Sequence, residues 1–256
     1  MTSTQRAGGR LGLSPICFGT MRLDRTGRAA EAAALLREAH EGGVTSFHTS
    51  SEYETFPLFR EAWTQARRDG LTGARVIAKV ASPHFNEPAF SAETFRAKVE
   101  AYLQGLGLER LDVVQWLLRF YLKQEPARLA ILNDSAAEIG EVTDALKREG
   151  KIGHLVSFPY TASLAREVVE HSWCEGLALY INPLEREMDP EAERCAALGK
   201  SVVAIRPYAA GRLFTETSLG AEEALEHVFG TPGVETAVVS VSSREHLQPL
   251  LRWAGR

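Results

Sequence analysis

Cysteine is scarce in this chain. Three residues among 256, Cys17, Cys174 and Cys195, are widely spaced, odd in number and never paired as CxxC. A disulfide frame or a zinc cluster is therefore not expected, and a reducing compartment suits the composition. Histidines form neither HxH nor HExxH, so no metal site is predicted. Long apolar runs are missing as well: no window approaches eighteen uninterrupted apolar residues, and the opening MTSTQRAGGR lacks the apolar core of a signal peptide. A membrane span and export are not expected, and a cytoplasmic location is. Runs of one charge sign are also absent, with 29 basic against 33 acidic residues and a net charge of -4. Nothing in that balance favours nucleic acid or an anionic membrane as partner, which leaves a small molecule as the expected one and the oligomeric state open.

What is present is an alternation. Short apolar, β-branched runs at 14–19, 44–48, 75–80, 111–118, 151–157, 177–182, 201–207 and 235–241 read as strands. Amphipathic segments rich in Ala, Leu, Glu and Arg separate them and read as helices at 28–41, from about Pro57, from a Ser91 cap, and at 134–149, 161–173, 187–198, 221–229 and 244–253. Gly42-Gly43 is a natural stop for the first. Strands that are nearly continuous apolar runs are buried on both faces, as in a parallel sheet. Eight βα units with right-handed crossovers predict an α/β fold of the (β/α)8 barrel class, spanning 1–256 as one domain with a short segment of about 1–13 before the first strand. An open doubly wound sheet is the competing architecture, but GxGxxG does not follow the first strand.

In such a barrel the reacting groups stand at strand C-termini and on the loops after them. That rule selects His48 at the end of strand two with Tyr53 just beyond, Lys79 near the end of strand three with His84 after it, Arg119 after strand four, and Arg206 and Tyr208 after strand seven. Phe18, Trp116 and Leu117 are expected to line the pocket with His84 and Arg119. The apolar segment RFYLKQEPARLAILND, 119–134, reads as a long connection that lays Phe120, Tyr121 and Leu122 over the mouth. Arg119 either offers its planar fork to a substrate carboxylate or phosphate, or pairs with Glu125 at the surface.

At these positions the sequence resembles the aldo-keto reductase superfamily, along most of its length. GVTSFHTSSEYE matches the family's GVxxxDTAxxYG at Gly43, Val44, Thr49 and Tyr53, and VIAKV carries the family lysine as Lys79. GKIGHLVSFPY, LYINPLERE and IRPYAAGRL are similar to later family segments. The resemblance implies the barrel, a tyrosine that protonates a carbonyl, and a nicotinamide cofactor delivering hydride. Against the same alignment the family aspartate falls on His48, the family histidine on Leu117, the serine–asparagine pair on Phe158 and Pro159 or, with a gap, on Ser157 and Phe158, and the glutamine on Ala178. Ser157, Asn182, Arg206, Pro207, Gly211, Ser242 and Arg244 are what remains for a cofactor.

A histidine in place of the aspartate removes negative charge from beside Lys79, which should ease loss of its proton. The leading reading is therefore acid–base chemistry without hydride transfer, a lyase, dehydratase or isomerase acting on a small carbonyl or hydroxyl metabolite through Tyr53, Lys79 and His48, with no cofactor required. A neutral Lys79 forming a Schiff base is a variant of it. The alternatives are an NADPH-dependent carbonyl oxidoreductase with a rebuilt set of catalytic groups, and a catalytically silent binding barrel.

Overall fold

The computed structural model describes residues 9–23 and 27–254; residues 1–8 of the expected leading segment lie outside them. Eight strands, Ile16–Gly19 (β1), Ser46–Ser50 (β2), Arg75–Ala81 (β3), Leu111–Leu117 (β4), Ile152–Ser157 (β5), Gly176–Tyr180 (β6), Ser201–Ile205 (β7) and Val234–Ser240 (β8), pair in parallel in chain order, and β8 returns to β1 to close the barrel. Helices Ala29–Glu41 (α1), Phe56–Arg68 (α2), Ala92–Leu106 (α3), Glu125–Arg148 (α4), Ala162–Glu170 (α5), Asp189–Ala197 (α6), the single turn Leu213–Glu216 (α7), Ala221–Gly230 (α8) and Arg244–Ala254 (α9) fill the crossovers. The (β/α)8 expectation holds.

Local chemistry explains the boundaries. Gly43, past the end of α1, adopts φ +92°, a value costly for any residue with a Cβ. Ser91 Oγ accepts the Thr94 amide at 3.2 Å and caps α3. The segment after β4 differs from expectation. The loop is short, and α4 begins at Glu125 rather than at 134, with Pro126 in its first turn. Ala127, Arg128, Leu129 and Ala130 are good helix formers, and a first-turn proline forfeits no hydrogen bond, so the helix extends up to it.

Two apolar bodies hold the barrel. The larger lies between strands and helices and includes Phe18, Phe47, Trp63, Trp116 and Leu155. The smaller fills the barrel, from Leu11 and Leu13 at the lower end through Cys17, Ile77, Val113, Val156, Ala178 and Val203 to Leu117 and Phe158. Alternation along each strand sends successive residues to opposite bodies, so register decides which side chains reach the interior. The lower end is closed by the chain before β1: the amides of Leu11 and Leu13 donate to the Glu235 carboxylate at 3.1 and 3.2 Å, and Ser201 Oγ donates to it at 2.9 Å.

Candidate active site

The same alternation that buries Phe47 outward turns His48 inward, and on the neighbouring strands Lys79 and Gln115 share its side. His48 Nε2 donates to Gln115 Oε1 at 3.0 Å, and both side chains are buried. Burial, then the charge of Lys79, pushes the imidazole down to about 4, against the opposing effect of the Gln115 bond. Near neutral pH His48 is therefore uncharged, and it does not have the near-neutral basicity expected from the sequence. A lone glutamine on the interior side of LDVVQWLL was the available sign that this strand carries a polar partner.

Beyond β2 the chain turns tightly. The Tyr53 amide donates to the Ser50 carbonyl at 3.1 Å, the Phe56 amide to the Tyr53 carbonyl at 2.9 Å, and Thr55 Oγ1 reaches the Thr20 carbonyl at 2.9 Å. The turn is tied to the next strand through α3: Tyr102 Oη accepts the Ser51 amide and donates to the Lys79 carbonyl at 2.8 Å. Tyr53 is thereby held with its ring 5.1 Å from Lys79 Nζ and 6.2 Å from the His48 ring. Burial, with smaller contributions from Tyr102 and Glu52, raises the Tyr53 phenol well above its ordinary range, while Arg119 acts the other way.

Lys79 is not without a carboxylate, and the expectation drawn from the His48 substitution is corrected here. Glu52 Oε2 stands 3.4 Å from Lys79 Nζ, and its Oε1 lies 3.1 Å from His84 Nε2. Arg119 closes on the same carboxylate with both arms of its fork, Nε to Oε1 at 3.0 Å and a terminal nitrogen to Oε2. The Lys79 pKa is lowered, as expected, but burial is the main cause and Arg119 the second, while Glu52 opposes both. Burial works to raise Glu52, yet the Arg119 hydrogen bonds and the charges of Lys79 and Arg119 hold it below the usual carboxylate range. Glu52 does not occupy the aligned aspartate position and so is not marked by the resemblance; an ionisable residue immediately before Tyr53 is its signal in the sequence.

The other predicted pocket residues divide. Phe18 and Trp116 were expected at the mouth but pack into the layer beneath the helices, Phe18 on Phe47 and Trp116 on Trp173 and Phe90, with Trp116 Nε1 donating to the Ser82 carbonyl. Their strand positions put them on the outer face. Leu117 is fully buried in the barrel interior. Arg119 pairs with Glu52 and Tyr160 rather than Glu125, whose carboxylate accepts from Thr161 and Ser163. Phe120 is buried edge-on against Tyr160 at 5.3 Å. Tyr121 is exposed and stacks on Phe85 at 4.7 Å, and Phe85 also lies against His84 and beneath the Arg119 guanidinium. Phe85 and Tyr160 were not foreseen.

On the opposite rim, Phe158 touches Tyr160 at 4.7 Å and Tyr180 at 5.5 Å, and the Arg206 guanidinium lies 4.6 Å from the Tyr180 ring centre. The loop after β7 is strained: Arg206, Ala209 and Ala210 all adopt positive φ, of 56°, 47° and 60°. Arg206 Nε and Tyr208 Oη are buried there without a hydrogen-bond partner, whereas Gly211, at φ +97°, borders open space. Pro207 is buried within the loop. Asn182 is fully engaged in the chain, donating to Glu185 and to the Arg206 carbonyl and accepting the Leu184 and Glu185 amides. Ser157 is buried on the outward side of β5. After β8, Ser242 Oγ bonds His246 Nδ1 at 3.0 Å, and the exposed Arg244 pairs with Glu38 at 2.6 Å.

The described residues contain no group of three or more His, Cys, Asp and Glu side chains able to hold a metal ion, and no helix long and apolar enough to cross a membrane.

No curated protein matches the chain in sequence. Among solved structures, one titled a putative aldo-keto reductase from Pseudomonas aeruginosa is 26% identical, with a TM-score of 0.76 over 98% of this chain and 93% of that one. The holo form of aldo-keto reductase AKR11C1 from Bacillus halodurans is 19% identical, with a TM-score of 0.76 over 94% of this chain and 86% of that one. A Klebsiella pneumoniae aldo/keto reductase solved with NADP and acetate is also 19% identical, with a TM-score of 0.70 and the same coverages. That relatives of this fold are solved with NADP in place overturns the expectation of a site requiring no cofactor. The family model described as the aldo/keto reductase family matches residues 15–227, and the chain belongs to that family.

Proposed function

We propose that the protein is a nicotinamide-dependent reductase of small carbonyl compounds, with Tyr53 as the proton donor. The observation that carries this reading is the pairing of the Tyr53 ring and the Lys79 amine, 5.1 Å apart at adjacent strand ends of an aldo/keto reductase barrel. It replaces lyase, dehydratase or isomerase chemistry as the better supported reading.

The residues present fit a dinucleotide. Arg206 Nε and Tyr208 Oη are two buried polar atoms without partners on the rim beyond β7, and Gly211 beside them leaves open space. Buried polar groups of this kind are costly unless a ligand or water satisfies them. Arg206, Tyr208 and Gly211 after β7, with Ser242 and Arg244 after β8, would hold the polar length of the cofactor. Where the family's amide-holding serine and asparagine are missing, the Phe158, Tyr160 and Tyr180 wall offers aromatic faces for a flat ring. When bound, a reduced nicotinamide would supply the hydride for such a reduction.

The chain's own residues supply the rest. Tyr53 holds its proton firmly in the resting protein, since burial disfavours the phenolate, and gives it up only to a carbonyl oxygen that is gaining negative charge. Lys79 faces the phenol ring, and the charge of Arg119 favours the phenolate left behind. Neutral His48, fixed by Gln115, forms a polar floor without competing as an acid. Phe85 and Tyr121 form one apolar wall of the mouth and Phe158 with Tyr160 the other, a lining suited to an apolar or aromatic carbonyl compound.

The test is a titration of NADPH followed by its fluorescence, with loss of its absorbance then monitored against a panel of aldehydes and ketones. Saturable binding together with carbonyl-dependent oxidation is expected. A protein that neither binds NADPH nor oxidises it with any carbonyl in the panel is not a reductase of this kind.

A further inference from the structure

Resting on the reductase reading, we infer that Glu52 is the carboxylate partner of Lys79, supplied from the loop before Tyr53 in place of the strand position that His48 occupies. Glu52 is thus a positioning residue for the amine, one that does not itself touch the reacting atoms. Among the described residues it is the only carboxylate within 4 Å of Lys79 Nζ.

Three observations carry the assignment. The pair is sheltered, with side-chain exposures of 10% for Lys79 and 24% for Glu52, so it is less screened than the surface ion pairs that contribute little. The carboxylate is fixed: Arg119 grips both oxygens and His84 a side of one, while the Glu52 amide bonds Ser50 Oγ at 3.3 Å. The loop that bears it is joined to the lysine's own backbone, because Tyr102 Oη takes the Ser51 amide and reaches the Lys79 carbonyl. The loop that delivers the carboxylate is thereby tied to the strand that carries the amine.

The groups around this pair explain why one carboxylate matters. Facing Lys79 and Glu52 are His48 and Tyr53 from β2 and its loop, His84 from the loop after β3, Tyr102 from α3, Arg119 from the loop after β4, and Tyr160 and Tyr180 across the mouth. Two of these surroundings, burial and the Arg119 charge, press Lys79 to lose its proton, and Glu52 counters both. Arg119 acts twice, since it repels the ammonium directly and also shares the carboxylate that stabilises it.

The experiment reads the lysine itself and needs neither cofactor nor substrate. The full-length protein is acetylated with trace acetic anhydride across pH, and modification of Lys79 is followed by peptide mass spectrometry in the parent, Glu52→Gln and Glu52→Asp. Glu52→Gln is expected to lower the Lys79 midpoint by on the order of one pH unit, and so to raise its labelling near neutral pH about tenfold. Glu52→Asp, which keeps the charge but shortens its reach, is expected between the two. A purely structural loosening of the mouth would admit water and move the midpoint up, toward that of an ordinary lysine. An unmoved or raised midpoint in Glu52→Gln overturns the inference; if that variant does not fold, a midpoint in Glu52→Asp at or above the parent's does so. Failure of NADPH to bind while the midpoint shifts removes the reductase reading and leaves the pair standing.

Discussion

The hydroxyl of Tyr102 donates to the carbonyl oxygen of Lys79 at 2.8 Å while accepting the amide of Ser51, so a single buried phenol on α3 spans the loop of Tyr53 and the strand of Lys79. Tyr102→Phe retains the ring, which packs edge-on against Phe56, and deletes only that bridge. The variant is expected to lose about 1–2 kcal/mol in urea unfolding, the cost of leaving buried polar groups unpaired. Turnover should fall more than cofactor affinity does, because the loop and strand lose their common reference. Unfolding curves that overlay those of the parent would show that the bridge is not a significant constraint.

Tyr53→Phe removes the proposed proton donor with little change of shape. Carbonyl-dependent oxidation of NADPH is expected to drop by about a hundredfold or more in kcat, the usual range for a positioned acid, with NADPH affinity retained. A rise in KM at constant kcat would instead mark the phenol as a substrate contact.

His48 gives the pH dependence of stability a definite sign. Its folded pKa, about 4, lies below the ordinary 6.5, so the neutral form is favoured by folding. Above pH 6.5 both folded and unfolded chains hold the imidazole neutral. Between 6.5 and 4 only the unfolded chain takes up the proton, and stability falls across that window by up to about 3 kcal/mol. His48→Leu is expected to flatten this part of the curve in urea titrations at successive pH values, and an NMR titration of the parent should place the His48 midpoint near 4.

At the other end of the barrel, Glu175 makes the complementary case. Burial alone would raise its pKa, but hydrogen bonds from His154, Lys147 and the Leu155 amide outweigh it and hold the carboxyl down at about 2. The stabilisation is complete above the ordinary value of 4.5 and is lost as pH falls through 2. Glu175→Gln should therefore be less stable than the parent at pH 7 and lose less on acidification below 4.5, a difference that melting temperatures at the two ends of that range would reveal.

The barrel was legible in the sequence because a doubly buried parallel strand must be an apolar run and a crossover helix must show a periodic face; VIAKV and VVAI announce themselves in this way. Tyr53 and Lys79 were legible for a related reason, since strand ends converge on one mouth. The start of α4 was not, because Pro126 punctuates a helix start and a loop alike, and only packing of the following turns distinguishes them. The site's charge balance was hidden more deeply. Which carboxylate meets Lys79 depends on how far a loop side chain reaches across two strands, a distance that no alignment of strand positions contains. The same holds for Arg119, whose partner proved to be Glu52 across the mouth rather than Glu125 close by in sequence. Phe18 and Trp116 show the opposite limit: a one-residue step in strand parity exchanges a cavity wall for the packing beneath a helix.

Among the described residues, the stopper formed by Leu11, Leu13 and Glu235 packs the end of the barrel opposite Tyr53. On the proposed reading, Tyr53 is approached from the other end, whose rim carries Tyr121 and Arg206. On that reading cofactor and carbonyl compound would share one end of the barrel, and the order of their arrival would follow from which of them lies deeper.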